Sequence, residues 1–283
     1  MIVDPKRRIA AIAPSSAYDP ARLAAGIAVA KAHGYDVELF EGSLDPHFWL
    51  AAPDARRLAH LHEALADPAW GAVWLVRGGQ GMLRLLPGLP ALAAAPRPVI
   101  GFSDATALLA AVHQAQAGPA IHGPMLHSLP SADPESIEDL FGLFEGRPLT
   151  PLRGEVMVPG TASGPLVGGN LSLLASLCGT PWQVSAKNAI LVVEDVGEPA
   201  YRIDRMWSQL VLSGALTGVA GIAFGQFDDC RAGPGWTLSD LLSERVAELA
   251  VPVAFNLPIG HGAANRSWVV GSTARLVEGT LHR

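Results

Sequence analysis

The chain has 283 residues, 49% of them hydrophobic and 16% charged, with a formal net charge of -6. This balance excludes a disordered chain and supplies core enough for one large domain or two ordinary ones. The acidic surplus and the lack of any Lys/Arg cluster exclude a protein that grips phosphate backbones, so no nucleic-acid partner is expected.

No segment approaches the length needed to cross a bilayer, and Met1 to Ala10 contain no apolar h-region. A soluble, cytoplasmic protein with no membrane partner is the expectation. Cys178 and Cys230 are the only cysteines, which suits a reducing compartment and excludes a disulfide framework. The apolar neighbours of Cys178 mark it as a buried structural thiol rather than a nucleophile.

In chain order, Ile9 to Ala13 is a short apolar run ending at Pro14-Ser-Ser, and Pro20 to His33 follows with helical spacing, closed by Gly34 at C′. Tyr35 to Phe40 reads as the next strand, Pro53 to Leu65 as a helix, and Ala72 to Val76 as a third strand ending in Arg77-Gly-Gly-Gln-Gly81. Met82 to Leu86 begins another helix, and Val99-Ile100 leads to Ser103. Strands alternating with helices imply a parallel sheet covered on both faces, with ligands beyond the carboxyl ends of the strands.

The Arg77–Gly81 loop has two readings. Glycine removes the Cβ obstruction, so backbone N–H groups can approach an anion or oxyanion; equally, the loop is a plain tight turn. It is not a phosphate-binding P-loop, because the Lys-Ser/Thr ending is missing. The stretch Arg97 to Gln116 passes from a buried strand through a glycine turn into a helix with Ser103 at the bend. Such a turn holds a serine hydroxyl clear of the sheet, with the first helical N–H groups facing whatever it attacks. The same letters also describe N-caps, with Ser103 and Asp104 satisfying the orphan N–H groups. Ala105 stands where the full nucleophile-elbow pattern has its second glycine.

His122 and His127 flank a loop after a short strand, Pro119 to Ile121, without the acidic or cysteine partners that a metal site requires; no metal and no cofactor are expected. From Leu129 to Pro165 six prolines and a short helix at Ser136 to Phe144 suggest a crossover into a second domain. There, a glycine-rich turn at 164–170 opens a helix toward Cys178, and Ala189 to Val196 is a strand ending in Glu194 and Asp195. Acids at the end of a buried strand demand a partner. Tyr201 to Leu212 and Thr237 to Leu249 read as helices and Val219 to Phe224 as a strand. Another strand then leads to His261 between two glycines, and a hairpin-like pair, 267–270 with 274–281, ends the chain.

Serine at an elbow, an acid at a strand end and a histidine in a glycine loop are the parts of a nucleophile, orienter and base relay. Strand alternation sends Glu194 and Asp195 to opposite faces, so only one of them orients His261.

The blocks Arg77-Gly-Gly-x-Gly, Ile100-Gly-Phe-Ser-Asp-Ala-Thr, His122-Gly-Pro-Met, Gly168-Gly-Asn-Leu-Ser-Leu-Leu, Val193-Glu-Asp-Val-Gly-Glu-Pro-x-Tyr-Arg-Ile-Asp-Arg and Pro258-x-Gly-His-Gly run in order over nearly the whole chain. Together they resemble the LD-carboxypeptidase family of serine peptidases. The resemblance implies an α/β fold in two domains with the active site between them. Residues 1–145 would form an N-terminal parallel-sheet, Rossmann- or flavodoxin-like domain carrying the nucleophile elbow, 146–164 a linker, and 165–283 a C-terminal mixed α/β domain carrying the acid and the histidine. It further implies Ser103 as nucleophile, Glu194 as orienter, His261 as base, and the N–H groups of Gly79 and Asp104 as the oxyanion hole. The expected substrate is a small peptide, the murein tetrapeptide that loses its terminal D-alanine in the cytoplasm. A related branch hydrolyses microcin C-type peptidyl-adenylates and confers self-immunity.

Gln80 stands where that family commonly has tyrosine, so the pocket rim departs from the pattern. Trp182 is a candidate to stack on a planar ligand, against the alternative of capping the core. Arg77 and Arg202, with Arg84 and Arg205, are candidates to hold a substrate carboxylate, against the alternative of pairing with acids such as Asp204. An esterase of the α/β-hydrolase type and a non-enzymatic ligand-binding module share parts of this pattern, and a symmetric homodimer is the default expectation for assembly.

Overall fold

The computed structural model describes residues 1–89 and 97–283, which divide into two compact units, Met1–Pro148 and Leu149–Arg283. In the first, strands β1 (Ile9–Ile12), β2 (Val37–Leu39), β3 (Ala72–Leu75), β4 (Val99–Gly101) and β5 (Ala120–His122) are all parallel, in the spatial order β2-β1-β3-β4-β5. β1, β3, β4 and β5 are buried along their whole length, as strands are when both faces of a parallel sheet are covered, and all their residues but His122 at the end of β5 are apolar. Helices α1 (Pro20–Ala32), α2 (Asp54–Ala66), α3 (Thr106–Gln114) and α4 (Pro134–Glu145) accompany them. The ends of two are set locally: the Asp19 side chain accepts the Ala21 N–H ahead of α1, and Asp133 accepts that of Ser136 ahead of α4.

The strand order is flavodoxin-like, as expected. Its direction reverses between β1 and β3, so the loops leaving their carboxyl ends part and leave a crevice. Those loops carry Pro14-Ser-Ser and Arg77–Gly81, and Ser103 follows the adjacent β4. The helix expected from Met82 is instead two 3-10 turns, Met82–Arg84 and Leu86–Gly88, because Pro87 has no N–H to continue an α-helical ladder.

The second unit holds β6 (Leu152–Arg153), β7 (Glu155–Val158), β8 (Thr161–Asn170), α5 (Leu171–Leu177), β9 (Ile190–Val196), α6 (Ala200–Leu212), β10 (Gly221–Asp228), α7 (Leu238–Val246), β11 (Val253–Phe255), β12 (Trp268–Val269), β13 (Thr273–Val277) and β14 (Thr280–His282). One sheet runs β6-β14-β13-β8-β9-β10-β11-β7. It is parallel from β8 to β11 and antiparallel outside them, a mixed sheet as expected. Trp207 of α6 and Leu242 of α7 pack with Phe224 and Val193 of the parallel strands.

Three sequence readings change here. Residues 146–164, expected to be a linker, contain β6, β7 and the start of β8. The prolines that suggested a linker sit between strands or where pairing changes: Pro165, with no N–H to donate, falls where β8 leaves β13 and takes up β9. The glycine-rich segment read as a turn is the second half of β8, whose Gly168 lies so close to β9 that a Cβ would come 2.0 Å from the Val192 carbonyl oxygen. The terminal hairpin is β13 with β14, not 267–270 with 274–281; Glu278 and Gly279 both have positive φ, which a two-residue turn of right-handed strand twist requires.

β6 and β7 are separated only by Gly154, yet they stand at opposite edges of the sheet. Eight flat strands would hold those edges about 34 Å apart. The sheet therefore rolls until β6 and β7 meet at Gly154, whose N–H extends the β6–β14 pairing by donating to the Gly279 carbonyl at 2.9 Å. No helix among the described residues is long and apolar enough to cross a membrane.

Candidate active site

In the first unit, the buried strand β4 stops at Gly101, Phe102 is extended, and Ser103 turns the chain with φ of 62° before a 3-10 turn, Ser103–Ala105, feeds α3. A left-handed conformation costs a non-glycine residue roughly 1–2 kcal/mol, so the surrounding structure imposes this bend. The capping alternative is not realised. Neither N-cap position, Phe102 or Ala105, makes a side-chain cap bond, and the buried Asp104 carboxylate instead accepts the Met82 N–H at 2.9 Å. Burial pushes the Asp104 carboxyl up, against the hydrogen bonds that it accepts from Met82 and Gly81 and the pull of Arg57.

The Arg77–Gly81 loop lies directly against the serine: a Cβ on Gly78 would come 2.9 Å from the Ser103 Cβ and 3.0 Å from its Oγ. Gly79 has φ of 100°, and a Cβ there would come 2.2 Å from the Ser16 Oγ. Ser16 holds the loop by accepting the Gln80 N–H at 3.0 Å and by donating its own N–H to the Gly78 carbonyl at 3.2 Å. From the other side Arg57, 1% exposed, donates to the Gly81 carbonyl at 3.2 Å, to the Ala52 carbonyl at 3.0 Å and to that of Pro14, and pairs with Asp54. The loop is thus braced backbone by backbone, an arrangement that fixes the direction of its N–H groups.

The other candidates of this unit are already engaged. Arg77 donates to the Ala17 carbonyl at 2.6 Å, Arg84 pairs with Asp54 at 2.6 Å, and Gln80 is exposed on the loop. His122 is buried with its ring 5.9 Å from that of Phe102, while His127 accepts the Asp19 N–H at 3.4 Å.

In the second unit, Glu194 is wholly buried near the end of β9, and its Oε2 lies 2.7 Å from the His261 Nδ1. A carboxylate accepts, so Nδ1 carries the proton and Nε2 is the basic nitrogen. Asp195 faces the other way, taking the Asn170 side-chain amide at 3.0 Å and the Ser172 N–H and hydroxyl at 3.0 and 2.8 Å; burial pushes its carboxyl up. Of the two acids, the sheet brings Glu194 to His261 and gives Asp195 to the start of α5. Burial alone would lower the His261 pKa, but Glu194, then Asp195 and Asp228, outweigh it and hold the imidazole above its ordinary value.

The His261 loop is held by Asp228 at the end of β10, whose Oδ2 accepts the N–H groups of His261 at 2.7 Å and Gly262 at 2.8 Å. The glycines either side of His261 permit this approach: a Cβ on Gly260 would come 2.8 Å from Oδ2, and one on Gly262 3.0 Å from Oδ1. Arg202, on the outer face of α6, pairs with Glu198 at 3.5 Å, Arg205 lies over the Tyr201 ring at 5.5 Å, and the half-buried Trp182 donates its backbone N–H to the Thr180 hydroxyl at 3.2 Å. Sequence reasoning passed over Ser16, Arg57 and Asp228. Asp228 offered one signal, an acid at the end of an apolar strand, as with Glu194.

A serine lifted on a left-handed strand-to-helix turn, and an imidazole carried on a buried carboxylate, are the working parts of serine hydrolases as a class. The chain belongs to the LD-carboxypeptidase family: the family's N-terminal domain matches residues 9–123 and its C-terminal domain residues 163–276. It is a serine carboxypeptidase of that family. Its sequence is 38% identical to the murein tetrapeptide carboxypeptidase of Pseudomonas aeruginosa over 288 aligned residues, covering 95% of this chain and 92% of that one. The crystal structure of muramoyltetrapeptide carboxypeptidase from Oxalobacter formigenes superposes with a TM-score of 0.86 at 29% identity, over 96% of both chains. The microcin C7 self immunity protein MccF, solved in complex with aspartyl sulfamoyl adenosine, has a TM-score of 0.87 over 97% of this chain and 95% of its own, and at 18% identity shares the fold.

Proposed function

We propose that the protein hydrolyses the L,D peptide bond to the terminal D-alanine of murein tetrapeptides, acting on fragments recycled in the cytoplasm. The observation that carries the chemistry is the contact of 2.7 Å between the His261 Nδ1 and a Glu194 carboxylate with no solvent exposure. The relative of 38% identity that is a murein tetrapeptide carboxypeptidase supports this choice of substrate.

In this reading the Ser103 Oγ attacks the carbonyl carbon of the scissile bond while its proton passes to the His261 Nε2. Glu194 keeps the Nδ1 proton in place and stabilises the imidazolium. The carbonyl oxygen, now negative, is taken by the N–H groups of Gly79 and Asp104, each worth about 2.7–4 kcal/mol of transition-state stabilisation. The imidazolium then gives its proton to the departing amine of D-alanine, leaving an acyl-enzyme. Water, deprotonated by His261, attacks the acyl carbon, and the proton returns to Ser103 as tripeptide leaves. Because the base works as neutral imidazole, and its carboxylate neighbours raise its pKa, kcat/KM should climb with pH through a value above that of a free imidazole.

Incubation of the purified protein with a muropeptide digest, read by mass, tests the substrate. Tetrapeptides should become tripeptides, and Ser103→Ala should leave them intact. Intact tetrapeptides beside a hydrolysed peptidyl-adenylate would transfer the same chemistry to the substrate of the microcin branch.

A further inference from the structure

We propose that Asp228 is a positioning residue for the reaction: by taking two successive N–H groups of the Gly-His-Gly loop on a single oxygen, it fixes the imidazole of His261 against Glu194. The proposal rests on the reading of His261 as the base. The geometry is that of an anion seated in backbone donors, at 2.7 and 2.8 Å, and charge-assisted hydrogen bonds of this kind are about twice as strong as neutral ones.

The stem of the loop is anchored by its buried side chains, Leu257 and Ile259, and by backbone bonds, among them the Arg266 N–H to the Pro258 carbonyl at 2.9 Å. The Asn256–Gly262 segment leaves the short strand β11 with Asn256 at φ of 59° and touches β10 through backbone bonds from Leu257 to Phe224 and from Gln226 to Ile259. Those two bonds also hold the stem. Asp228 holds the tip, and it comes from the strand beside the one that carries Glu194. Base and orienter are thereby referred to neighbouring strands of a single sheet, with β10 bulged between Phe224 and Phe227 just ahead of Asp228. The glycines give the clamp room, since a Cβ on Gly260 or Gly262 would come within 2.8 or 3.0 Å of the carboxylate.

Asp228 also adds charge. Among the described contacts of this unit, the titratable groups that act on the imidazole are Glu194, in contact with it, Asp195, which is turned to the other face of β9 and acts through its charge alone, and Asp228 on β10, with the Cys230 thiol beyond Asp228. Removing the charge while keeping the acceptor separates the two effects. Because both N–H groups share one oxygen, the amide oxygen of asparagine can accept both.

The experiment compares Asp228→Asn, Asp228→Ala and His261→Ala with wild type on a murein tetrapeptide across pH, with thermal unfolding of each. Asp228→Ala should lower the plateau kcat roughly tenfold to a hundredfold, the range for a reacting group displaced by about an ångström, with KM nearly unchanged. Asp228→Asn should recover most of that loss and move the acid limb of kcat/KM to lower pH. The low-field Nδ1 proton of His261, followed by NMR, should persist in Asp228→Asn and weaken in Asp228→Ala. A wild-type plateau in Asp228→Ala, or an unmoved acid limb in Asp228→Asn, overturns the proposal; if Asp228→Ala does not fold, the acid limb of Asp228→Asn and its NMR titration decide alone. Activity retained by His261→Ala would instead remove the reading of the base, whatever Asp228 does.

Discussion

Replacing Glu194 with glutamine changes one atom in a site with no solvent exposure, and the consequence can be worked from a single distance. An imidazolium and a carboxylate 2.7 Å apart attract by about 6 kcal/mol at an effective dielectric constant of about 20. In the proposed mechanism that attraction exists only after the imidazole has taken the serine proton, so it lowers the barrier without tightening substrate binding. Glutamine also presents a donor to Nδ1, which drives the histidine proton onto Nε2, where it blocks transfer from the hydroxyl. The expected loss in kcat is about ten-thousand-fold, equivalent to about 5.4 kcal/mol, with KM almost unchanged. D-alanine release at saturating tetrapeptide measures it, and a thermal unfolding curve matching wild type shows that the fold is retained. A folded Glu194→Gln enzyme within tenfold of wild type would refute the reasoning.

Ser103→Gly should abolish activity yet stabilise the protein by about 1 kcal/mol in urea unfolding, because glycine occupies φ of 62° without the Cβ penalty; equal or lower stability would mean that the bend holds no strain. Gly79→Ala should reduce kcat by about 10²–10³, since a Cβ 2.2 Å from the Ser16 hydroxyl must turn the loop and with it the N–H group. An undiminished kcat would take Gly79 out of the oxyanion hole. Cys230, whose thiol burial pushes up to about 11, should resist iodoacetamide at pH 8, and labelling at the rate of an exposed cysteine in a timed mass measurement would contradict that.

Much of the fold was legible because apolar runs declare buried strands whatever their neighbours do. Ile9 to Ile12, Ala72 to Leu75 and Ile190 to Val193 read as strands from the letters and are strands. What lay outside the letters was partnership across distance. Alternation put Glu194 and Asp195 on opposite faces but could not tell which face His261 meets; the pairing of β9 with β8 and β10 decides it. Ser16, Arg57 and Asp228 reach backbone groups far along the chain, Gln80 from Ser16, Gly81 from Arg57 and His261 from Asp228, 24 to 64 residues away, and such contacts leave no side-chain pattern to read. The linker reading failed for a related reason: prolines mark where a strand ends or changes neighbour as readily as where structure lapses.

The meeting of β6 and β7 across Gly154 bears on how the protein behaves in company. Open sheets offer their outermost strands to any passing polypeptide, and crowded cells supply many. Here the two outermost strands have two and four residues and are turned toward each other by the roll of the sheet, so little ladder is left for another chain to extend. A mixed sheet of eight strands is in this way protected from intermolecular zippering by one glycine's worth of backbone.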